Sequence, residues 1–264
     1  MSLEVLSPEE LAGLLPAVRA AAEKASAAIL RHYEAGAEAV EKADGSPVTA
    51  ADNDADAIIL AALRALTPAI PVVTEEEVAA GRIPDISAGT FWLVDPLDGT
   101  KEFIKRNGEF TVNIALIQDG APVLGVVMLP VGGTMYAASG PDTAVRGRPG
   151  QPDEPIRVRA VPALGLTVLT SRSHADNAAV EEFLTGRRVS QKVAAGSSLK
   201  FCRVAEGVGD VYPRLGPTCE WDIAAGHAVL LGAGGCLTLL DGEPFPYGKA
   251  PTFLNPHFVA WGGA

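Results

Sequence analysis

The chain is poor in cysteine, with only Cys202, Cys219 and Cys236, an odd number and no CxxC pair, so neither a disulfide framework nor a zinc site is supported. No apolar run reaches the roughly 18 residues that cross a bilayer. The longest candidates, Val123 to Val131 and His227 to Leu240, are interrupted by glycine or polar residues. The opening MSLEVLSPEE lacks the basic-then-apolar order of a secretory signal, which points to a cytoplasmic protein and leaves peripheral attachment to the inner membrane open. Basic residues are also scarce. Lys and Arg number 21 against 32 Asp and Glu, and the resulting net charge of −11 argues against a polynucleotide-binding face. A small phosphorylated substrate remains compatible, provided bound cations or a local basic patch separate it from the acidic protein. GxxxxGK[ST], GxGxxG and GxSxG are all absent, which removes the warrant for a P-loop, a dinucleotide fingerprint or a nucleophile elbow. The run Asp52-Asn53-Asp54-Ala55-Asp56 imitates the start of a calcium loop. Ala57 stands where its glycine belongs, however, and Leu63 where its closing glutamate belongs.

What is present is a globular pattern of 264 residues, 48% of them hydrophobic, enough for one large domain or two intimately packed halves. Ser7-Pro8-Glu9-Glu10 combines an N-cap serine, a proline at the first helical position and a glutamate three residues after the cap, so a helix starts there and runs to about Tyr33, with Pro16 a kink or restart. Ala50 to Leu66 reads as a second helix, after an extended piece near Ala39 to Lys42 and a turn at Asp44-Gly45. Pro71 to Thr74 and Phe91 to Val94 read as strands. From Phe110 two β-rich runs meet at Asp119-Gly120, a strong hairpin signal, and Thr134 to Ala138 adds a third strand. Pro141 to Pro155 has the composition of a boundary loop. Beyond it strands and helices alternate, with helices expected at 176–184, 198–206 and 222–231. The expectation is an α+β half over 1–150 and an α/β half over 151–264.

Carboxylates stand at the ends of predicted elements in four places. Asp52, Asp54 and Asp56 open a helix, Glu75, Glu76 and Glu77 follow a strand, Asp95 and Asp98 follow a strand, and Asp222 opens a helix. Each has an ordinary explanation in helix caps, macrodipoles or solvated faces. Gathered at one point they would repel unless cations were bound, and hard oxygen ligands in such numbers suit Mg²⁺ without any histidine. In DPLDGT, a proline-stiffened turn can present Asp95 and Asp98 to one side. Gly99 then permits close backbone approach, and Thr100 offers a hydroxyl and an amide to phosphate.

WLVDPLDGT at 92–100 and WDIAAGHAVLLGAGG at 221–235, about 125 residues apart, resemble the two signatures of the lithium-sensitive, magnesium-dependent phosphatases that include inositol monophosphatase and fructose 1,6-bisphosphatase. TAAD at 49–52 and TEE at 74–76 extend the resemblance. Within that superfamily the chain is most similar to the 3′(2′),5′-bisphosphate nucleotidases of bacterial sulfur assimilation, on the strength of Lys101-Glu102-Phe103, IKRNGEFTVNIALI at 104–117, SRSHAD at 171–176, GSSLKFC at 196–202 and YPRLGPT at 212–218. The resemblance implies a layered αβαβα sandwich of the inositol monophosphatase type. It also implies two or three Mg²⁺ ions held by Glu75, Asp95, Asp98, Asp222 and the Leu97 carbonyl, with lithium inhibitory. Asp52 would pair with Thr100, and that pair with Glu75 would orient an attacking water. Two departures, Glu77 for an expected aspartate and Cys219-Glu220 before Trp221, touch no implied ligand.

The substrate implied is adenosine 3′,5′-bisphosphate or its 5′-phosphosulfate analogue, losing its 3′-phosphate. Gly99, Thr100 and Asp222 would lie against the reacting phosphate. Arg172, Ser173, His174, Ser197, Ser198, Lys200 and Arg214 are candidates for the second phosphate, Lys101 is a further substrate-binding candidate, and Tyr212 is a candidate for adenine. An inositol or sugar monophosphatase on the same fold and a non-catalytic nucleotide sensor are the alternatives, and monomer and homodimer are both compatible with the sequence.

Overall fold

The computed structural model describes residues 5–36, 39–41, 47–172 and 177–263. The first part of the chain runs α1 (Pro8–Ala35), β1 (Ala39–Glu41), β2 (Pro47–Thr49), α2 (Ala50–Leu66), β3 (Val72–Thr74), α3 (Glu75–Ala79), β4 (Thr90–Asp98), α4 (Thr100–Ile104), β5 (Thr111–Gln118), β6 (Ala121–Leu129), β7 (Thr134–Ala138), β8 (Val145–Gly147) and β9 (Glu154–Pro155). The remainder runs β10 (Leu166–Ser171), α5 (Asn177–Leu184), β11 (Val189–Ala195), α6 (Leu199–Ala205), β12 (Val211–Arg214), α7 (Glu220–Gly232), β13 (Cys236–Leu239) and β14 (Phe258–Trp261). The turn expected at Asp44-Gly45 lies outside the described residues.

Strands β3 to β9 form one sheet in sequence order, parallel at β3–β4 and antiparallel elsewhere. Asp119 (φ 51°) and Gly120 (φ 75°) close the β5–β6 hairpin with both residues left-handed, the backbone such a two-residue turn needs. The second sheet has the order β11-β10-β12-β14-β13, with β10 parallel to its neighbours and β14 antiparallel to its own. Pro141 to Pro155, expected as a loop, contributes β8 and β9, short pairs at the edge where proline is tolerated.

The continuous apolar run FWLV is explained by burial on both faces of β4. Trp92 and Val94 pack with α1 and α2 through Val18, Ile29, Ile59 and Leu63. Phe91 and Leu93 face the opposite core, with Val229 of α7 and Phe201 of α6. Those two helices also touch Leu169 and Phe258 of the second sheet, and α5 covers that sheet's outer side through Val180 and Leu184. The layers are therefore α1α2, first sheet, α6α7, second sheet and α5. Because α7 is sandwiched between sheets it is apolar nearly all round. It also approaches β6 very closely: a Cβ on Gly125 would stand 2.5 Å from the Ala225 carbonyl oxygen.

Candidate metal centre and active site

The segment expected to be a turn after FWLV is instead a continuation of the strand. β4 runs through Asp98, with a register shift between Asp95, opposite Asn113, and Asp98, opposite Thr111. In a regular strand, residues three apart point to opposite faces. The extra residue returns Asp98 to the side of Asp95, and Pro96, which has no N–H to donate, sits within the irregularity. The Leu97 N–H donates to Asp95 Oδ1 at 3.0 Å. Asp98 Oδ2 accepts from the Ser198 N–H at 2.7 Å, Asn113 Nδ2 at 3.3 Å and the Thr111 hydroxyl at 3.4 Å.

Glu75 to Glu77, which follow β3 as expected, form the first turn of α3, capped by the Thr74 hydroxyl, which accepts from the Glu77 N–H at 3.1 Å. Asp222 does not open α7 as its N-cap. Cys219 holds that position, and Asp222, three residues on, accepts from the Cys219 N–H at 2.8 Å. The Asp222 carbonyl accepts from the Ser198 hydroxyl at 2.5 Å.

Three elements thereby deliver Glu75, Asp95 and Asp222 to one point, each with an oxygen within 4.8 Å of the others. Asp95 is almost wholly buried, and its carboxyl is held well above the usual range by that burial and then by Glu75, Asp98 and Asp222. Burial, followed by Asp98 and Glu75, raises Asp222 in the same way. Burial also raises Asp98, against the opposing pull of Lys200 and the Ser198 N–H. Buried like charges without compensation are costly. An all-oxygen donor set of this kind fits a hard divalent cation of the Mg²⁺ type.

Beside this group the Thr100 hydroxyl donates to Asp52 Oδ1 at 3.2 Å and lies 3.4 Å from the Leu97 carbonyl. Asp52 Oδ2 is fixed by the Thr49 N–H and hydroxyl, both at 2.7 Å. The carboxylates line a cavity of about 530 Å³, which Leu97, Gly99, Thr100, Lys101, Ser197, Lys200, Tyr212 and Arg214 also line. Gly99 (φ 93°) is required here, since a Cβ would stand 2.3 Å from Ser197 Oγ. Lys200 donates to the Ser197 carbonyl at 2.6 Å and lies 5.2 Å above the Tyr212 ring. Burial pulls the Lys200 ammonium down to about 8, with Asp98 opposing. Arg214 donates to the Pro217 carbonyl at 2.7 Å. Tyr212 is buried edge-on against Phe201, and burial pushes its hydroxyl up to about 12.

Of the other residues singled out in the sequence, Asp52 stands behind Thr100 and Ser198 behind Asp98. Arg172 forms a two-pronged ion pair with Glu109. Ser173 and His174 lie outside the described residues. The cavity also uses Glu102, Ser171, Gly196, Pro217, Thr218, Cys219 and Leu254, none of which the sequence reading named as a site residue. Asn113, fully buried behind Asp98, carried a usable signal, being a lone polar residue inside an apolar strand.

A layered αβαβα sandwich with carboxylates converging at the C-terminal end of one strand and the N-terminal turns of two helices defines an α/β protein built to hold hard cations in a cleft. More narrowly, the chain belongs to the Inositol monophosphatase family, whose sequence profile matches residues 10–258. It is 49% identical over 246 residues to the 3′(2′),5′-bisphosphate nucleotidase CysQ of Salmonella typhimurium (strain LT2), covering 90% of this chain and 95% of that protein. It is 47% identical over 241 residues, with the same coverage, to the protein of that description from Escherichia coli (strain K12). Among solved structures it resembles CysQ from Bacteroides thetaiotaomicron, with a TM-score of 0.77 and 37% identity over 94% of this chain and 96% of that one. It also resembles inositol monophosphatase from Anabaena, with a TM-score of 0.75 and 27% identity over 96% and 92%. No helix among the described residues is long and apolar enough to cross a membrane.

Proposed function

We propose that the protein is a 3′(2′),5′-bisphosphate nucleotidase that hydrolyses the 3′-phosphate of adenosine 3′,5′-bisphosphate, and of its 5′-phosphosulfate analogue, to leave a 5′-nucleotide and phosphate. One observation carries this reading: a single cavity joins the Glu75–Asp95–Asp222 oxygens to the cationic side chains Lys200 and Arg214. The first group suits the reacting phosphate with its counter-ions, and the second supplies the local positive charge a second phosphate needs in a chain of net charge −11. The near-half identity to the nucleotidases supports the choice among phosphate esters.

Glu75, Asp95, Asp98, Asp222 and the Leu97 carbonyl would hold the cations, two or three Mg²⁺ ions. When bound, such ions neutralise phosphate charge and make water a competent nucleophile near neutral pH. The protein's own part is proton handling and orientation. Thr100 Oγ1 donates to Asp52 Oδ1 and so turns a lone pair outward, where it accepts a proton from an attacking water as its own moves toward Asp52. Asp52 is suited to this because its other oxygen is immobilised by Thr49. Lithium sensitivity, a cytoplasmic location and a place in sulfur assimilation belong to the same reading.

The test is phosphate release with Mg²⁺ from adenosine 3′,5′-bisphosphate, inositol 1-phosphate and fructose 1,6-bisphosphate side by side. A preference of about a hundredfold in kcat/KM for the first, nearly 3 kcal/mol at the transition state, supports the proposal. Preference for either of the others keeps the centre and replaces the substrate. No release from any removes the catalytic reading.

A further inference from the structure

Gly196 lines the cavity together with Ser171, and behind it the Glu109 carboxylate is gripped by three N–H donors. Arg172 Nε donates to Oε2 at 2.9 Å, Arg172 Nη2 to Oε1 at 2.8 Å, and the Gly196 N–H to Oε2 at 2.8 Å. Arg172 Nη2 also donates to the Ala194 carbonyl at 3.2 Å, which fixes the plane of the guanidinium. A guanidinium fork joined by a backbone N–H is a donor set suited to phosphate. Here a side chain of the protein fills it. The approach is set by the backbone, because a Cβ on Gly196 would stand 2.6 Å from the Glu109 carbonyl oxygen.

The grip is tight in geometry and weak in energy. The Arg172 and Glu109 side chains are 45% and 27% exposed, and pairs so exposed typically shift an equilibrium by about fivefold or less. A phosphate dianion brings more charge and three acceptor oxygens to the same donors. We propose that Glu109 is an internal stand-in for the substrate's second phosphate: it occupies the Arg172–Gly196 donor set in the free enzyme and yields it to the 5′-phosphate of a nucleoside bisphosphate. This rests on the nucleotidase reading. A substrate with one phosphate, anchored at the carboxylate end, leaves Glu109 in place and gains nothing from Arg172. A stray anion entering alone meets an occupied site. Glu109 is thus a specificity-determining residue, and it acts through substrate binding rather than through the chemical step.

The test compares wild type, Glu109→Gln, Arg172→Ala and the double variant on adenosine 3′,5′-bisphosphate and on 3′-AMP, with 5′-AMP as inhibitor. In Glu109→Gln the KM for the bisphosphate and the inhibition constant of 5′-AMP both fall, by about three- to fivefold, while the KM for 3′-AMP shifts by less than about twofold. In the Arg172→Ala background the glutamine substitution moves neither KM. An equal change on both substrates overturns the proposal, since that is the mark of a purely structural contact. A rise in the bisphosphate KM also overturns it, because Glu109 would then be holding Arg172 in place for substrate rather than competing with it. Wild type alone reports on the underlying reading: without a preference for the bisphosphate over 3′-AMP, the nucleotidase assignment fails before any variant is compared.

Discussion

The Thr100 hydroxyl stands 3.2 Å from Asp52 Oδ1 across 48 residues of sequence, joining the start of α4 to the first turn of α2 at the edge of the carboxylate group. Asp52 cannot turn away, because Thr49 holds its other oxygen twice. If this pair handles the proton of the attacking water, Thr100→Ala lowers kcat by about 10²- to 10⁴-fold, the usual contribution of general acid–base catalysis. Thr100→Ser, which keeps the hydroxyl, stays within about tenfold of wild type. The rise in melting temperature on adding Mg²⁺ should persist in both, as neither change touches a carboxylate of the Glu75–Asp95–Asp222 group. Steady-state kinetics beside thermal melts checks this, and an active Thr100→Ala protein would remove the relay.

Asp95 sets stability against function. Its carboxyl is raised by burial and then by Glu75, Asp98 and Asp222. A raised carboxyl contributes stability that is present below the unfolded-state value of about 3.9 and is lost as pH climbs through the folded-state value. The cation-free protein is therefore under electrostatic strain at neutral pH. Asp95→Asn should melt higher than cation-free wild type at pH 7.5, yet show no phosphatase activity and little response to Mg²⁺. Wild type should gain about 2.7 kcal/mol with Mg²⁺ at a hundred times its dissociation constant. Differential scanning calorimetry with and without EDTA decides it. An asparagine variant less stable than wild type in EDTA would show that hydrogen bonding to Asp95, such as that from the Leu97 N–H, outweighs the repulsion.

The local part of this architecture was legible in the sequence. Ser7-Pro8 does begin α1 with a full capping box, Asp119-Gly120 does close a hairpin, and FWLV is a strand buried on both faces. Other features escaped for identifiable reasons. Pro16 suggested a kink or a restart, and the restart does not occur, since α1 runs through it from Pro8 to Ala35. DPLD read as a turn because aspartate and proline are turn residues. The bulge that keeps it in the sheet depends on its pairing with Asn113 and Thr111, which local composition does not encode. β8 and β9 were hidden because short edge strands can be built from Pro- and Gly-rich segments. Cysteine is a poor guide to a helix start, so α7 read as opening at Asp222, three residues beyond its N-cap at Cys219. Glu75, Asp95 and Asp222, the carboxylates that meet in the structure, were recognisable from motif resemblance. The Glu109–Arg172 pair was not, since it spans 63 residues and either side chain alone looks like solvated surface.

Gly125 tests whether the site depends on how closely α7 lies against the first sheet. A Cβ there would stand 2.5 Å from the Ala225 carbonyl oxygen and 2.6 Å from the Ala228 Cβ. The first of these contacts is with backbone and cannot be relieved by a rotamer. Gly125→Ala should destabilise by about 1–3 kcal/mol, as overpacking in a dense core does. Because it lifts the helix that carries Asp222, it should also weaken the Mg²⁺ dependence of activity by several-fold. Urea denaturation and a Mg²⁺ titration of kcat/KM supply the two readouts. A destabilised variant with an unaltered Mg²⁺ titration would mean that Asp222 is positioned by the Cys219 and Ser198 contacts alone.

His227, in the middle of α7, gives the protein a stability limit on the acid side that is independent of the carboxylates. Its ring is fully enclosed, its Nδ1 is 3.0 Å from the Tyr247 hydroxyl, and burial depresses its value to about 3. The unfolded chain takes up a proton near 6.5 while the folded one does not, so unfolding binds protons and stability falls as pH drops. The stabilisation is complete above about 6.5 and is lost at about 1.4 kcal/mol per pH unit down toward the folded value. His227→Gln retains a polar partner for Tyr247 but does not titrate. Urea-unfolding free energies of wild type and this variant at pH 7.5, 6 and 5 should therefore converge in the acid direction, with wild type losing about 2 kcal/mol more than the variant over that range. Parallel pH dependences would mean that the ring titrates alike in the folded and unfolded chain, and burial would then not be depressing it.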